Sequence, residues 1–264
     1  MGTKPKLLIL ADDELVAGAK RRYYKEYNDL LVSEDIDFIT LSDAKDLKEN
    51  GELDSIANPK GELFVLNPYK QMYFSLETNK ESCLERDFVN DKSVAYKRAL
   101  LNMGAKCVIV LDEVKDKKEN KTHGGIGGNK NGVVKGELVV DREKELSLNI
   151  SSKLMSLDLS NMPEPLEKVK EYLVKTGLIS DSVIKDLYEQ LESERKVCGI
   201  HSMDICFLSE LKSSIDIAAK VDLKAINAKL NVAHNSSHIH EITKRIRVFF
   251  EDVPDDIREM FTKI

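Results

Sequence analysis

From Ser213 to His234 the chain alternates apolar and polar residues for more than twenty positions. Ile215, Ile217, Ala219, Val221 and Leu223 share one phase, with Ser214, Asp216, Lys220, Asp222 and Lys224 in the other. The phase then flips, so that Ile226, Ala228, Leu230 and Val232 are apolar and Asn227, Lys229 and Asn231 polar. Period-two alternation predicts an amphipathic strand. A one-residue phase change moves every side chain to the other face. With no Gly, Pro or Asn-Gly at Ala225-Ile226, a bulge or bend within a continuing strand is the economical reading. At ~3.3 Å per residue such a ribbon reaches roughly 65 Å, several times a typical strand.

An earlier stretch slips in the same way. Leu146, Leu148, Ile150 and Leu154 keep one phase, and Met155, Leu157 and Leu159 the other. Between the two ribbons lie two helical patterns. Residues 165–176 carry Leu166, Val169, Tyr172 and Leu173 inward and end at Gly177; residues 181–195 carry Ile184, Leu187, Tyr188 and Leu191. Strands then resume from Gly199 to Phe250. If both ribbons lie in one sheet, that sheet is bent or strongly twisted where they slip.

The first part reads differently. Residues 6–11, 35–41, 62–66 and 107–111 are short apolar strand candidates. Leu15, Ala19, Tyr23, Tyr27 and Leu30 recur at helical spacing, and a helix over 91–103 places Val94, Ala95, Arg98 and Leu101 on one side. Gly104 stands where a left-handed helix cap favours glycine. This βα alternation predicts a small α/β unit over 1–121. Residues 122–132 hold five of the 13 glycines and read as a linker or loop. Residues 133–264 then form the second part. The expected class is α+β: an α/β N-terminal part, then a long-stranded, bent antiparallel sheet with an inserted helix pair.

A net charge of -6 argues against nucleic acid as a partner. Apolar residues at 42% suffice for a packed core. The apolar run Leu7–Ala11 is too short for a signal-peptide core, and nothing approaches the ~20 apolar residues of a membrane helix. Cys83, Cys107, Cys198 and Cys206 are sparse and irregularly spaced, which predicts a reducing cytoplasm without disulfides.

The run from Ser213 through Asn235, with the polar turn after it and Ile242-Thr243-Lys244-Arg245-Ile246-Arg247-Val248, resembles the alternating stretch of stonefish-toxin-type proteins. These belong to the wider perforin-like, cholesterol-dependent-cytolysin-like group. The resemblance covers about fifty residues. It implies a bent central sheet flanked by helices that refold into membrane hairpins on oligomerisation. It also implies a non-enzymatic assembly or pore-forming protein of bacterial or antiviral defence, with Ile215, Ile217, Val221, Leu223, Ile226, Leu230 and Val232 as membrane or assembly strands. Partners would then be further copies, another protein or a membrane. The helix pair is heavily charged by Glu167, Lys168, Lys170, Glu171, Lys185, Asp186, Glu189 and Glu192, which favours the shape without membrane insertion.

A second expectation concerns the first part. Lys6 to Glu14 resembles the start of receiver domains of two-component signalling, whose acidic residues after the first strand hold Mg²⁺, a cation that prefers oxygen ligands. That family places a phosphoacceptor Asp at the end of its third strand, where this chain has Asn67. Asp12, Asp13 and Asp112 are the metal candidates. Asp12, Asp13 and Asn67 are the ligand candidates for a small-ligand or nucleotide sensor with its site at strand carboxyl ends. Acidic residues opening a helix also suit the helix dipole. The loop Gly124–Gly132 lacks Gly-Lys-Ser/Thr and leads into a strand pattern, unlike a phosphate loop. Cys198, His201 and Cys206, or His234, His238 and His240, lack the paired spacings of zinc sites. No catalytic residue and no cofactor is indicated. The remaining alternative is a protein-interaction scaffold.

Overall fold

A computed structural model describes residues 4–20, 34–59, 61–79, 81–111, 155–220 and 242–262. The class is α+β. In chain order the elements are β1 (Leu7–Leu10), α1 (Asp13–Lys20), β2 (Ile36–Ile39), α2 (Leu41–Glu49), β3 (Leu63–Asn67), β4 (Met72–Ser75), α3 (Glu81–Asn102), β5 (Cys107–Leu111), β6 (Ser156–Leu157), α4 (Leu166–Lys175), α5 (Ser182–Glu194), β7 (Ile200–Cys206), α6 (Ser209–Lys220), β8 (Thr243–Phe249) and α7 (Asp255–Thr262).

Two four-stranded sheets result, with orders β2-β1-β3-β4 and β6-β5-β8-β7. In the first, β1 and β2 are parallel, while β3 runs antiparallel to β1 and to β4. The second is antiparallel throughout. The strand at 107–111, grouped with the first part by sequence, therefore pairs with β8 and β6 of the second sheet. Each sheet buries both faces. On the outer face of the first, Leu8, Leu10, Phe64 and Leu66 pack with Ala44 of α2. On the outer face of the second, Cys107, Ile109 and Phe249 pack with Val253 and Ile257 beside and on α7. The inner faces share one core with α3–α6, joining Leu7, Ile9 and Val65 to Val108, Ile246 and Val248. Strands buried on both faces read as continuous apolar runs, which is why β1, β3 and β5 are visible in the sequence.

The helix pair forms nearly as the pattern predicts. Pro165 stands at the start of α4 and its fixed φ suits that position. Asp181 caps α5, its carboxylate accepting from Val183 and Ile184 N–H. Gly177 and Gly104 adopt left-handed φ of 71° and 93°, as the cap reading requires.

Two expectations are corrected. The ribbon from Ser213 is helical up to Lys220, within α6, and lies against β1 and β3. Leu208, Leu211, Ile215 and Ala218 are buried at helical spacing. Ser214 and Ala218 fall in the opposite phase of the strand reading, and the helix buries them together with Ile215. Burying each large aliphatic side chain is worth about 1.5–3 kcal/mol, and a strand would bury only one phase of the pattern against a single sheet. The strands that flank α6, β7 and β8, are seven residues each, not one long ribbon. The rest of the predicted ribbon, including Val221, Leu223, Ile226, Leu230 and Val232, lies outside the described residues, as do residues 112–154 with most of the earlier one. Of the earlier ribbon, Ser156–Leu157 form the two-residue edge strand β6.

The second correction concerns α3. It begins at Glu81, and its buried side carries Leu84, Phe88, Tyr96, Ala99 and Leu100. Of the residues that the sequence reading set on one side, Ala95 is buried and Leu101 half-buried, while Val94 and Arg98 are exposed. The true stripe passes through Lys92, and a lysine in an apolar row conceals it.

Candidate functional site

The position that hides the stripe of α3 is also a buried charge. Phe88, Lys92 and Tyr96 succeed one another at i, i+4 spacing, so Lys92 points where α3 meets the β3–β4 hairpin and the β7–α6 junction. Lys92 is 3% exposed. Its ammonium donates to the Cys206 carbonyl at 2.6 Å and to both Glu210 carboxylate oxygens at 2.9 and 3.0 Å. It also faces the rings of Tyr69, Tyr96 and Phe207, at 5.8, 6.0 and 5.9 Å from their centroids. Cation–ring contacts of this kind gain strength when desolvated. Burying a charge is tolerable only with such saturation.

Each partner is held by its own element. Glu210 lies in the first turn of α6, where a carboxylate complements the helix dipole, and Ser209 Oγ donates to it at 3.0 Å. The Tyr69 phenol stands close to the same carboxylate. Tyr69 sits in the four-residue loop between β3 and β4, which the end of β3 shapes. Asn67 is fully buried; its Oδ1 accepts from Tyr69 N–H at 3.1 Å and its Nδ2 donates to Asp91 at 2.8 Å. Lys70 pairs with the same carboxylate at 3.1 Å. Gln71, at a left-handed φ of 58°, donates its amide to Pro68 and Lys175 carbonyls, both at 2.7 Å. The hairpin loop is thereby tied to α3 and α4 together.

The electrostatics bear most on the two tyrosines. Burial, then the nearby Glu210 carboxylate, raises the Tyr69 phenol above its ordinary value. Burial and the hydrogen bond to Asp181 do the same for Tyr96, whose hydroxyl donates to Asp181. Both phenols therefore stay protonated as donors at neutral pH, the opposite of what an acid–base tyrosine needs. Burial also raises the Asp91 carboxyl, against the lowering pull of Lys70 and Asn67. The cluster clamps α3 to the β7–α6 junction. No group in it is poised to attack a substrate.

The residues singled out in the sequence are dispersed. Asp12 is exposed, and its Oδ1 accepts from Leu15 N–H at 2.8 Å, the helix-start role. Asp13 opens α1 and is also exposed. Asp112 lies outside the described residues, among which no group of three side chains is arranged to hold a metal. Asn67 and Asp12 do not share a crevice. Because β3 runs antiparallel to β1, Leu66 N–H bonds Lys6 while Gly61 N–H bonds Leu10, so the two residues stand at opposite ends of the sheet, about seven residues or ~23 Å apart. Ile215 is buried and Ile217 half-buried on α6. His201 does not join a thiol site: its Nε2 bonds the Cys198 carbonyl at 2.8 Å and its ring meets Phe250 edge-on. His234, His238, His240 and the glycine loop lie outside the described residues.

Of the cluster, only Asn67 was marked by sequence reasoning, and for another role. The signal that finds the rest is Lys92 itself, a cation in the apolar row Phe88–Lys92–Tyr96.

No family model, curated protein or solved structure matches the chain. Among the described residues no helix is long and apolar enough to cross a membrane.

Proposed function

We propose that this chain is a non-enzymatic, cytoplasmic sensor protein that binds a small ligand where the β3–β4 hairpin, α3 and α6 meet. The observation that carries the reading is the burial asymmetry of one ion pair: the Lys92 side chain is 4% exposed and that of Glu210 37%. An apolar side chain of similar size would usually hold such a junction as well or better. What a buried charge adds is a bond that a competing ion can open from the solvent side. The four cysteines are unpaired, which supports the cytoplasmic location. The site stands in place of the strand-end crevice expected from Asp12, Asp13 and Asn67.

The test is a thermal-shift screen of the whole protein against carboxylates, phosphates and nucleotides with Mg²⁺. A ligand at 100 times its Kd adds about 2.7 kcal/mol. A hit that K92M abolishes supports the reading, and a flat response across the panel refutes it.

A scaffold for a protein partner is favoured by one separate observation. Ile200 is 61% exposed on β7, an edge strand of the second sheet. Native mass measurement with and without Ile200→Lys tests it. The perforin-like assembly reading loses its extended ribbon over Ser213–Lys220 and is not the reading advanced.

A further inference from the structure

Two donors meet the Glu210 carboxylate. Lys92 Nζ reaches both of its oxygens at 2.9 and 3.0 Å, and Ser209 Oγ meets Oε2 at 3.0 Å, with the Tyr69 phenol close by. Lys92 belongs to α3 and Tyr69 to the β3–β4 hairpin. Each is anchored independently of Glu210: Lys92 by the Cys206 carbonyl at 2.6 Å, and Tyr69 by its N–H to Asn67 Oδ1 at 3.1 Å. Both would remain in place were Glu210 to turn outward, and at 37% exposure its side chain has solvent to turn into.

From this arrangement we infer that α3 and the hairpin form a carboxylate-binding site which Glu210 fills from within the chain, and that a small monocarboxylate takes the same seat when Glu210 leaves it. The inference rests on the sensor reading above and names its ligand class. Charge selects a monoanion. The seat offers one buried cation, while Asp181 lies one tyrosine away through Tyr96 and Asp91 adjoins Lys92 on α3 beside Lys70. A phosphate dianion would bring a second negative charge toward these carboxylates. In the unaltered chain Glu210 competes at an effective concentration in the millimolar range or above, so a free carboxylate gains the seat only by making further contacts.

Glu210→Ala empties the seat. Its melting temperature is expected to climb with added acetate and level off, relative to chloride at equal ionic strength. Inorganic phosphate should give a smaller shift, and K92M/E210A should give none. Should E210A fail to fold in chloride, recovery of its far-UV circular dichroism by acetate is the same readout. Acetate acting no better than chloride, or acting equally on K92M/E210A, overturns the inference. If acetate fails on E210A while the wild-type screen yields a Lys92-dependent ligand, the carboxylate assignment falls and the sensor reading stands.

Discussion

Replacing Glu210 should destabilise the protein more than replacing Lys92, although Glu210 is the more exposed partner. In Lys92→Met the unbranched side chain occupies the same space among Tyr69, Tyr96 and Phe207. The Cys206 carbonyl loses its donor, at a cost of about 1–3 kcal/mol, but Glu210 is free to turn into water and the added apolar burial offsets part of the loss. A net cost of about 1–2 kcal/mol follows. In Glu210→Ala the ammonium, on a residue 3% exposed in the unaltered protein, keeps the Cys206 carbonyl as its one hydrogen-bond acceptor. Stranding a buried charge costs roughly 3–5 kcal/mol. Water entering the vacated space trims this toward about 3 kcal/mol. The double variant K92M/E210A should be more stable than E210A, because it removes the stranded charge. Urea unfolding followed by far-UV circular dichroism measures all three, provided the denaturant slopes agree. If K92M proves the costlier single change, or the two effects simply add, the ammonium is not held as a buried charge by Glu210.

Three further outcomes are expected. A Cβ at Gly104 would stand 2.9 Å from the Pro163 ring and backbone nitrogen at a φ of +93°, so Gly104→Ala should cost about 2–4 kcal/mol from left-handed strain and overpacking; a loss under about 0.5 kcal/mol would contradict the packing of the 158–165 segment on α3. The buried Cys107 thiol is pushed up to about 12 by burial, so a thiol reagent at mildly alkaline pH should spare it in the native protein and label it on unfolding; rapid native labelling would refute its place under α7. The hydrogen bond from Arg245, at 2.8 Å, holds the Asp204 carboxyl below its ordinary value. That contribution is present above the unfolded value near 3.9 and lost as pH falls through the lower folded value. Because the pair is largely exposed, Asp204→Asn should cost under about 1 kcal/mol at neutral pH, and the difference should vanish in strong acid; a gap that widens on acidification would contradict the sign.

What the sequence reveals and conceals follows from which signals tertiary packing leaves intact. The helix pair was legible because Pro165, Gly177 and Asp181 mark its ends and its apolar stripes face one core. Strands β1, β3 and β5 were legible because burial on both faces leaves continuous apolar runs. Helix α2 was missed because its residues are mostly polar, though Thr40 and Asp43 form a reciprocal capping box at 3.1 and 3.0 Å. Strand β4 was missed because its turn uses Gln71 in a conformation that glycine usually supplies. Ser213–Lys220 misled for a different reason. It carries both a period-two pattern and a helical stripe, and only the surface it meets, the inner face of the first sheet, decides between them. Lys92 breaks the apolar row of α3, but its partners could not be assembled from the sequence, since they come from positions 67 to 210 and their union is a product of topology.

The placement of α6 on β1 and β3 has a consequence for how the chain is made. β3 ends at residue 67, whereas the helix that lies against it begins at residue 209. During synthesis the inner face of the first sheet, with Leu7, Ile9 and Val65, therefore emerges long before its cover does. Contacts so distant along the chain slow folding, and surface left bare in the interval invites aggregation. A nascent chain halted before Ser209 should accordingly be a client for chaperones, and the full chain should not.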